Sequence, residues 1–200
     1  RVKPMPRIGM EAIRREALVR AAITEVGEVG MVEVTVAKIA KRAGVSPALA
    51  HHYFGSKEKI LFAAMRRILD EFGTSVKARY KDAATPRERL EAIIEASFGP
   101  DQFAPAVVAA WLAFYVQAQR KGDASRLLAI YEARLRSNLV YALRQLVSAD
   151  AARRIATGLG SLIDGFYLRA ALKDFGMSRS DAVAMTLEYL ELTLAKEMSS

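Results

Sequence analysis

Residues Thr35 to Lys57 constrain this chain more than any other stretch, because they hold two helix starts and a glycine stop in close succession. Thr35 is a preferred helix N-cap, and Val36, Ile39, Ala40 and Ala43 recur behind it at helical spacing. Gly44 stops that helix, since glycine reaches the left-handed conformation past a helix end at low cost. Ser46 and Pro47 then supply a second N-cap with proline at the first helical position. Two helices joined by about three or four residues predict a helix-turn-helix, whose second helix enters the DNA major groove by its N-terminus. Leu49 and Phe54 are expected to hold that second helix to the core. Ser46, Pro47, Ala48, His51, His52 and Tyr53 are left to face outward.

The distribution of charge supports a polyanionic partner. Up to Lys81 the chain has sixteen Lys and Arg against eight Asp and Glu, and beyond it fourteen against fourteen, so the net charge of +8 lies wholly in the first part. Such asymmetry is expected where one part meets double-stranded DNA and the other does not. No apolar run reaches the roughly 18 residues of a membrane span. The basic stretch from Arg1 to Arg7 has no hydrophobic segment behind it, so it reads as a basic arm rather than a secretory signal. Without cysteine there are no disulfides and no thiolate metal sites, which suits a cytoplasmic protein.

Helical periodicity runs through nearly all the remainder. Residues 11–28 carry Ile13, Ala17, Leu18, Ala21, Ala22 and Val26 on one face, with Gly27 and Gly30 expected to end that support helix. Residues 57–80 form a long helix that joins the basic head to the neutral body as a lever. Five further helices are expected over residues 87–98, 105–121, 125–147, 149–173 and from Ser178, where Asp181 completes a capping arrangement. The 149–173 segment mixes Ala156, Gly158, Gly160, Gly165 and Ala170 with large apolar residues. Small residues permit close helix approach, so this helix is expected to pack both within its own chain and against a second copy. A homodimer would space two recognition helices about 34–36 Å apart, one turn of a palindromic operator.

Side-chain chemistry sorts the head residues by role. Thr35, Ser46, Tyr53 and Lys57 suit phosphate oxygens, and the helix N-terminus at Ser46 offers free backbone N–H groups. Base reading falls to Pro47, Ala48 and His52, whose apolar groups meet a thymine methyl and whose imidazole reaches a purine acceptor. Lys38, Lys41 and Arg42 add positive charge. An enzyme is not expected. The only histidines, His51 and His52, are adjacent on the recognition helix, no metal-ligand cluster is present, and no Gly-rich phosphate loop follows a strand. No cofactor is called for.

The neutral body is aromatic-rich, with Phe98, Phe103, Trp111, Phe114, Tyr115, Tyr131, Phe166 and Tyr167, and a carboxylate, Asp164, stands beside the last two. Aromatic faces and a carboxylate are a natural receptor for a permanent cation, each good contact contributing roughly 0.5–2 kcal/mol. Trp111 and Tyr115 share a helical face by their i, i+4 spacing. Every one of these rings also has a core-filling reading. Asp164 is open between facing a ligand, pairing with Arg169 and capping a neighbouring helix.

Thr35 to Leu61 resembles the DNA-binding segment of the TetR family of bacterial transcriptional regulators. The likeness lies in the Ala43-Gly44-Val45-Ser46 turn and in Tyr53, Phe54 and Lys57. The common pattern has glycine at the place of Ala48, tyrosine at His51 and histidine at Tyr53, and the resemblance implies phosphate contacts at His51 and Tyr53. Further segments resemble the choline-responsive regulators of betaine synthesis within that family. They are Pro6 to Met10 with Arg14 and Arg15, Ala50 to Phe54, Ala110 to Phe114, Arg136 to Leu139, Leu162 to Gly165 and Leu168 to Ala170. The resemblance implies an all-α fold of about nine helices, with a three-helix DNA-binding domain over residues 1–56 and a ligand-binding and dimerisation domain over 57–200. It implies a dimeric repressor of genes that import choline and oxidise it to glycine betaine, released from its operator by choline. A regulator of the same type answering another cationic or apolar small molecule is the alternative.

Overall fold

The computed structural model describes residues 7–172 and 177–199, so of the basic arm expected over residues 1–7 only Arg7, which begins the first helix, is among the described residues. Among those residues there are nine helices and no strand, as the periodicity and the resemblance imply. They are α1 (Arg7–Glu33), α2 (Val36–Arg42), α3 (Pro47–Phe54), α4 (Lys57–Tyr80), α5 (Pro86–Ser97), α6 (Pro105–Ala118), α7 (Asp123–Leu143), α8 (Ala149–Ala171) and α9 (Arg179–Met198).

Most boundaries are set by side-chain caps that satisfy the first free N–H groups of each helix. The hydroxyls of Thr35, Ser46 and Ser56 accept from the amides of Lys38, Leu49 and Lys59 at 3.2, 3.2 and 3.3 Å. Thr85 and Glu88 form a reciprocal capping box at the head of α5, and Ser178 and Asp181 form one at α9. The expected end of α1 is corrected. The helix runs on through Gly27, and the interruption falls at Gly30, where φ is 73°. Gly27 is there for a tertiary reason, since a Cβ at that position would lie 2.6 Å from the Ala106 Cα on α6. Two backbones meet where no side chain fits.

The helices enclose two apolar clusters. The smaller joins Leu18, Ala22 and Val26 of α1 to Ile39, Ala40, Ala50, Ile60, Leu61 and Ala64, and makes a head of α1 to the start of α4. The larger fills the body with Ile68, Leu90, Ile93, Phe98, Leu139, Leu159 and Ile163 among others. Helix α4 feeds both, with Ile60 and Leu61 in the head and Met65, Ile68 and Val76 in the body. The most extensive helix pairing, however, is α1 along α6. Ala109, Ala110 and Ala113 of α6 pack on the head cluster, so the head is joined to the body twice.

The small residues of α8 divide between two uses. A Cβ at Gly158 would overlap the Tyr189 ring of α9, whereas Gly160 and Gly165 have open space at that position. The buried face of α8 holds Ala152, Ala156, Leu159, Ile163 and Phe166. Its other face exposes Thr157, Ser161, Asp164, Leu168 and Leu172.

Candidate nucleic-acid interface and effector site

The head presents α3 with one side held and one side open. Ala50 is fully buried and is the pivot of the helix, while Leu49 and Phe54, expected as its anchors, are only half-buried. An alanine wins this place because a short helix wedged among α1, α2 and α4 must bring its backbone close. Ser46, Pro47, Ala48, His51 and His52 are exposed, as is Thr35 at the head of α2. The Thr35 and Ser46 hydroxyls use lone pairs as caps, which leaves each O–H free to donate to an outside oxygen.

Three of the head residues are more committed than their outward spacing predicts. Tyr53 is half-buried, its carbonyl accepts from Arg15 Nη1 at 2.6 Å, and the Arg15 guanidinium lies 5.0 Å from its ring centroid and 5.2 Å from that of Phe54. Arg15 of α1 thereby clamps the C-terminal turn of α3. The His51 ring contacts the Gly55 carbonyl through Nδ1 at 3.1 Å. A carbonyl only accepts, so Nδ1 carries a proton in this contact. Arg42, counted above as loose positive charge, is held by Glu25 at 2.6 Å and by Glu28, and this raises its pKa further. It fastens α2 to α1. Lys57 opens α4 beside the Ser56 cap and has no ion-pair partner among the described residues.

In the body, α6, α7 and α8 bring four rings into one cluster. Trp111 is buried, with ring centroids of Tyr131 at 5.0 Å, Tyr115 at 5.5 Å and Tyr167 at 5.9 Å. The Tyr115 hydroxyl donates to Asp164 Oδ1 at 2.7 Å, which supplies the partner that the sequence left open. Although the residue is exposed on α8, partial desolvation of its carboxyl raises the Asp164 pKa, against the opposing effect of that hydrogen bond. Burial and the neighbouring carboxylate push the Tyr115 and Tyr131 hydroxyls far above the usual phenol range, so both stay neutral donors. The buried Trp111 Nε1 has no acceptor among the described residues.

The other two aromatic candidates stand apart from this cluster in different ways. Phe98 is fully buried and touches Tyr167, Phe103 and Phe166, one ring removed from Trp111. Phe114 contacts Trp111 at 6.2 Å but also lines the small gap against Ala22, Leu61 and Ala64 at the seam with the head. Tyr167 serves both sides, since its hydroxyl donates to the Ser97 carbonyl at 2.6 Å while its ring edge meets Trp111.

Tyr131 stands among the body aromatics in the sequence but has no feature there that singles it out as a ligand residue. It closes the cluster, and it reaches both a groove of about 460 Å³ between α7 and α8, which Asp164 also lines, and a groove between α4 and α7. Its position on a separate helix leaves no local spacing to pair it with Trp111.

Comparison with known proteins bears on both regions. Residues 18–64 match the tetR family of bacterial regulatory proteins, and residues 86–195 match the C-terminal part of BetI-type transcriptional repressors. The HTH-type transcriptional regulator BetI of Rhizobium meliloti (strain 1021) is 53% identical over 190 residues, covering 95% of this chain and 94% of the relative. A TetR transcription regulator from Haloarcula marismortui shares the fold with a TM-score of 0.79 at 23% identity, covering 90% of this chain and 98% of its own. A transcriptional regulator from Saccharomonospora viridis, solved in complex with choline, superposes with a TM-score of 0.76 at 23% identity, over 88% of this chain and 95% of its own.

Proposed function

This chain belongs to the BetI-type branch of the TetR family of transcriptional repressors, and from that premise we propose that it represses choline-uptake and glycine betaine genes as a homodimer on a palindromic operator, with choline as the releasing effector. It is a DNA-binding regulator and not an enzyme. In this reading residues 1–56 form the DNA-binding unit and 57–200 the effector and dimer unit. Thr35, Ser46, Tyr53 and Lys57 hold phosphates. Pro47, Ala48 and His52 read bases, and the family likeness carries a further phosphate contact to His51.

The observation that carries the effector reading is the buried Trp111. Its indole N–H lacks an acceptor among the described residues, the rings of Tyr115, Tyr131 and Tyr167 surround it, and a carboxylate stands one hydrogen bond away. Choline matches this set in both of its parts. The trimethylammonium group takes aromatic faces and the Asp164 charge, and the hydroxyl accepts from Trp111 Nε1. The rings pack against one another in this structure, so choline enters by displacing one of them. Tyr131, half-exposed at the groove between α7 and α8 that Asp164 also lines, is the ring to move. The choline complex of the Saccharomonospora viridis regulator supports the same choice of ligand within this fold.

Dimerisation is supported by the open face of α8, where Gly160 and Gly165 leave room for close approach and Leu168 and Leu172 remain exposed. Met185 and Leu192 continue the apolar surface on α9. The signal has two routes to the head. One is α4. The other is α6, which carries Trp111 and Tyr115 on one face and presses Ala109, Ala110 and Ala113 against the head cluster with the other. Choline that favours a body geometry with the heads out of operator register shifts the population toward it. Full reversal of a 99:1 equilibrium requires a preference of about 5.5 kcal/mol.

Two measurements test the halves separately. Operator anisotropy with Lys57→Ala is expected to weaken binding alike for all sequences, with a salt slope shallower by about 0.9 for the lost phosphate contact. An unchanged slope removes Lys57 from the interface. Trp111→Ala is expected to abolish choline release of operator DNA while DNA binding persists, and Trp111→Phe to weaken choline by about tenfold through loss of the N–H alone. An undiminished choline response in Trp111→Ala, or a stronger response to a polyamine than to choline in the parent chain, overturns the effector assignment.

A further inference from the structure

The groove between α4 and α7 holds about 720 Å³, a volume typical of small-molecule sites, and it differs in chemistry from the aromatic cluster beside it. Leu69, Phe72 and Val76 of α4 face Leu127 and Ile130 of α7 across an apolar floor. At its rim are three cations, Arg66, Lys77 and Arg134, against a single carboxylate, Asp70. None of these four has an ion-pair partner among the described residues. Arg67, by contrast, one position along α4, is held by both Glu16 and Glu71. An excess of unpaired positive charge repels a quaternary ammonium and attracts an anion, while the floor favours an alkyl body.

We propose that this groove is a second small-molecule site, selective for an apolar monocarboxylate whose chain lies along the floor and whose head is held by the rim cations. The guanidinium of Arg134 suits a carboxylate because its N–H groups match the two oxygens in one plane. The inference stands apart from the choline reading, since it uses neither Asp164 nor Trp111. It has a route to DNA nonetheless. One wall of the groove is α4, whose first turns carry Ile60 and Leu61 into the head core, and its inner end is Tyr131, which packs on Trp111. An occupant that wedges α4 from α7 therefore alters operator affinity.

Isothermal titration of the full chain with octanoate, decanoate and dodecanoate, and with decanol as the uncharged control, tests this directly. Affinity is expected to rise roughly fourfold per added methylene, and decanoate to bind at least tenfold more tightly than decanol. Lys77→Ala and Arg134→Ala, both on exposed helix surface, should each weaken decanoate by about tenfold while leaving decanol binding and the circular dichroism of the fold unchanged. Equal affinity for decanol and decanoate would overturn the proposal. So would decanoate binding that survives the double variant, or that is lost instead in Lys57→Ala, which moves the anion to the DNA-facing head.

Discussion

The head and the body are built at different ranges of the chain. In the head, α2 and α3 each start at a hydroxyl cap and stop at a glycine or its neighbour, and the residues that face outward are fixed by helical phase within a few positions. In the body, the cluster around Trp111 takes its rings from α6, α7 and α8, and its nearest neighbours in space are as far apart in sequence as Tyr115 and Asp164. The difference is physical. A helix end is decided by which local groups satisfy its free N–H donors, whereas a ring cluster is decided by how several finished helices lean on one another.

The contrast can be broken by substitution, and the largest effect should come from the body. Phe98→Ala removes a fully buried ring against Phe103, Phe166 and Tyr167, and is expected to lower stability by about 3–5 kcal/mol in urea unfolding. At the seam, Gly27→Ala should cost about 1–3 kcal/mol, because the new methyl forces α6 away from α1 at Ala106. Operator affinity measured beside that loss would tell whether the α1–α6 contact also sets the pose of the head. In the head itself, Ser46→Ala should cost only about 1 kcal/mol, the loss of one N-cap. If the unfolding midpoint fell further for Ser46→Ala than for Phe98→Ala, the division into a locally defined head and a long-range body would fail.

The smallest effect concerns protonation and sharpens the body half. The Asp164 carboxyl has its pKa raised above the usual value of 3.8 by partial desolvation, with the Tyr115 hydroxyl working the other way. The folded chain therefore holds that proton more tightly than the unfolded chain. The associated stability is complete below the ordinary aspartate range and is lost as pH rises through the folded pKa. Asp164→Asn should flatten this part of the stability profile, read as urea midpoints between about pH 3 and 6. A profile identical to that of the parent chain would mean that the carboxylate is solvated and that its bond to Tyr115 is not part of a desolvated site.

Legibility in the sequence follows the same division. The bounds of α4 and the start of α9 follow directly from their caps and periodicity, and the exposure of Ser46, Pro47, Ala48, His51 and His52 from the phase of α3. Gly27 was misread as a helix stop because a glycine that ends a helix and one that admits a neighbouring helix look alike without the neighbour. Arg42 read as free charge because Glu25 and Glu28 lie on another helix. Trp111 with Tyr115 was visible as an i, i+4 pair on α6, but Tyr131 became their partner only once α7 crossed beside them.

By itself, then, the sequence determined the helices, the turn that aims α3 outward, the confinement of the net charge to the first part of the chain and the resemblance to the family. These depend on capping, glycine conformation and helical period, all of which act within a turn or two. The tertiary structure alone decided which aromatics meet, which carboxylate they surround, where α6 presses on the head and where unpaired cations line an apolar groove. Those outcomes depend on contacts between residues that share no local spacing, so only the packed helices could select them.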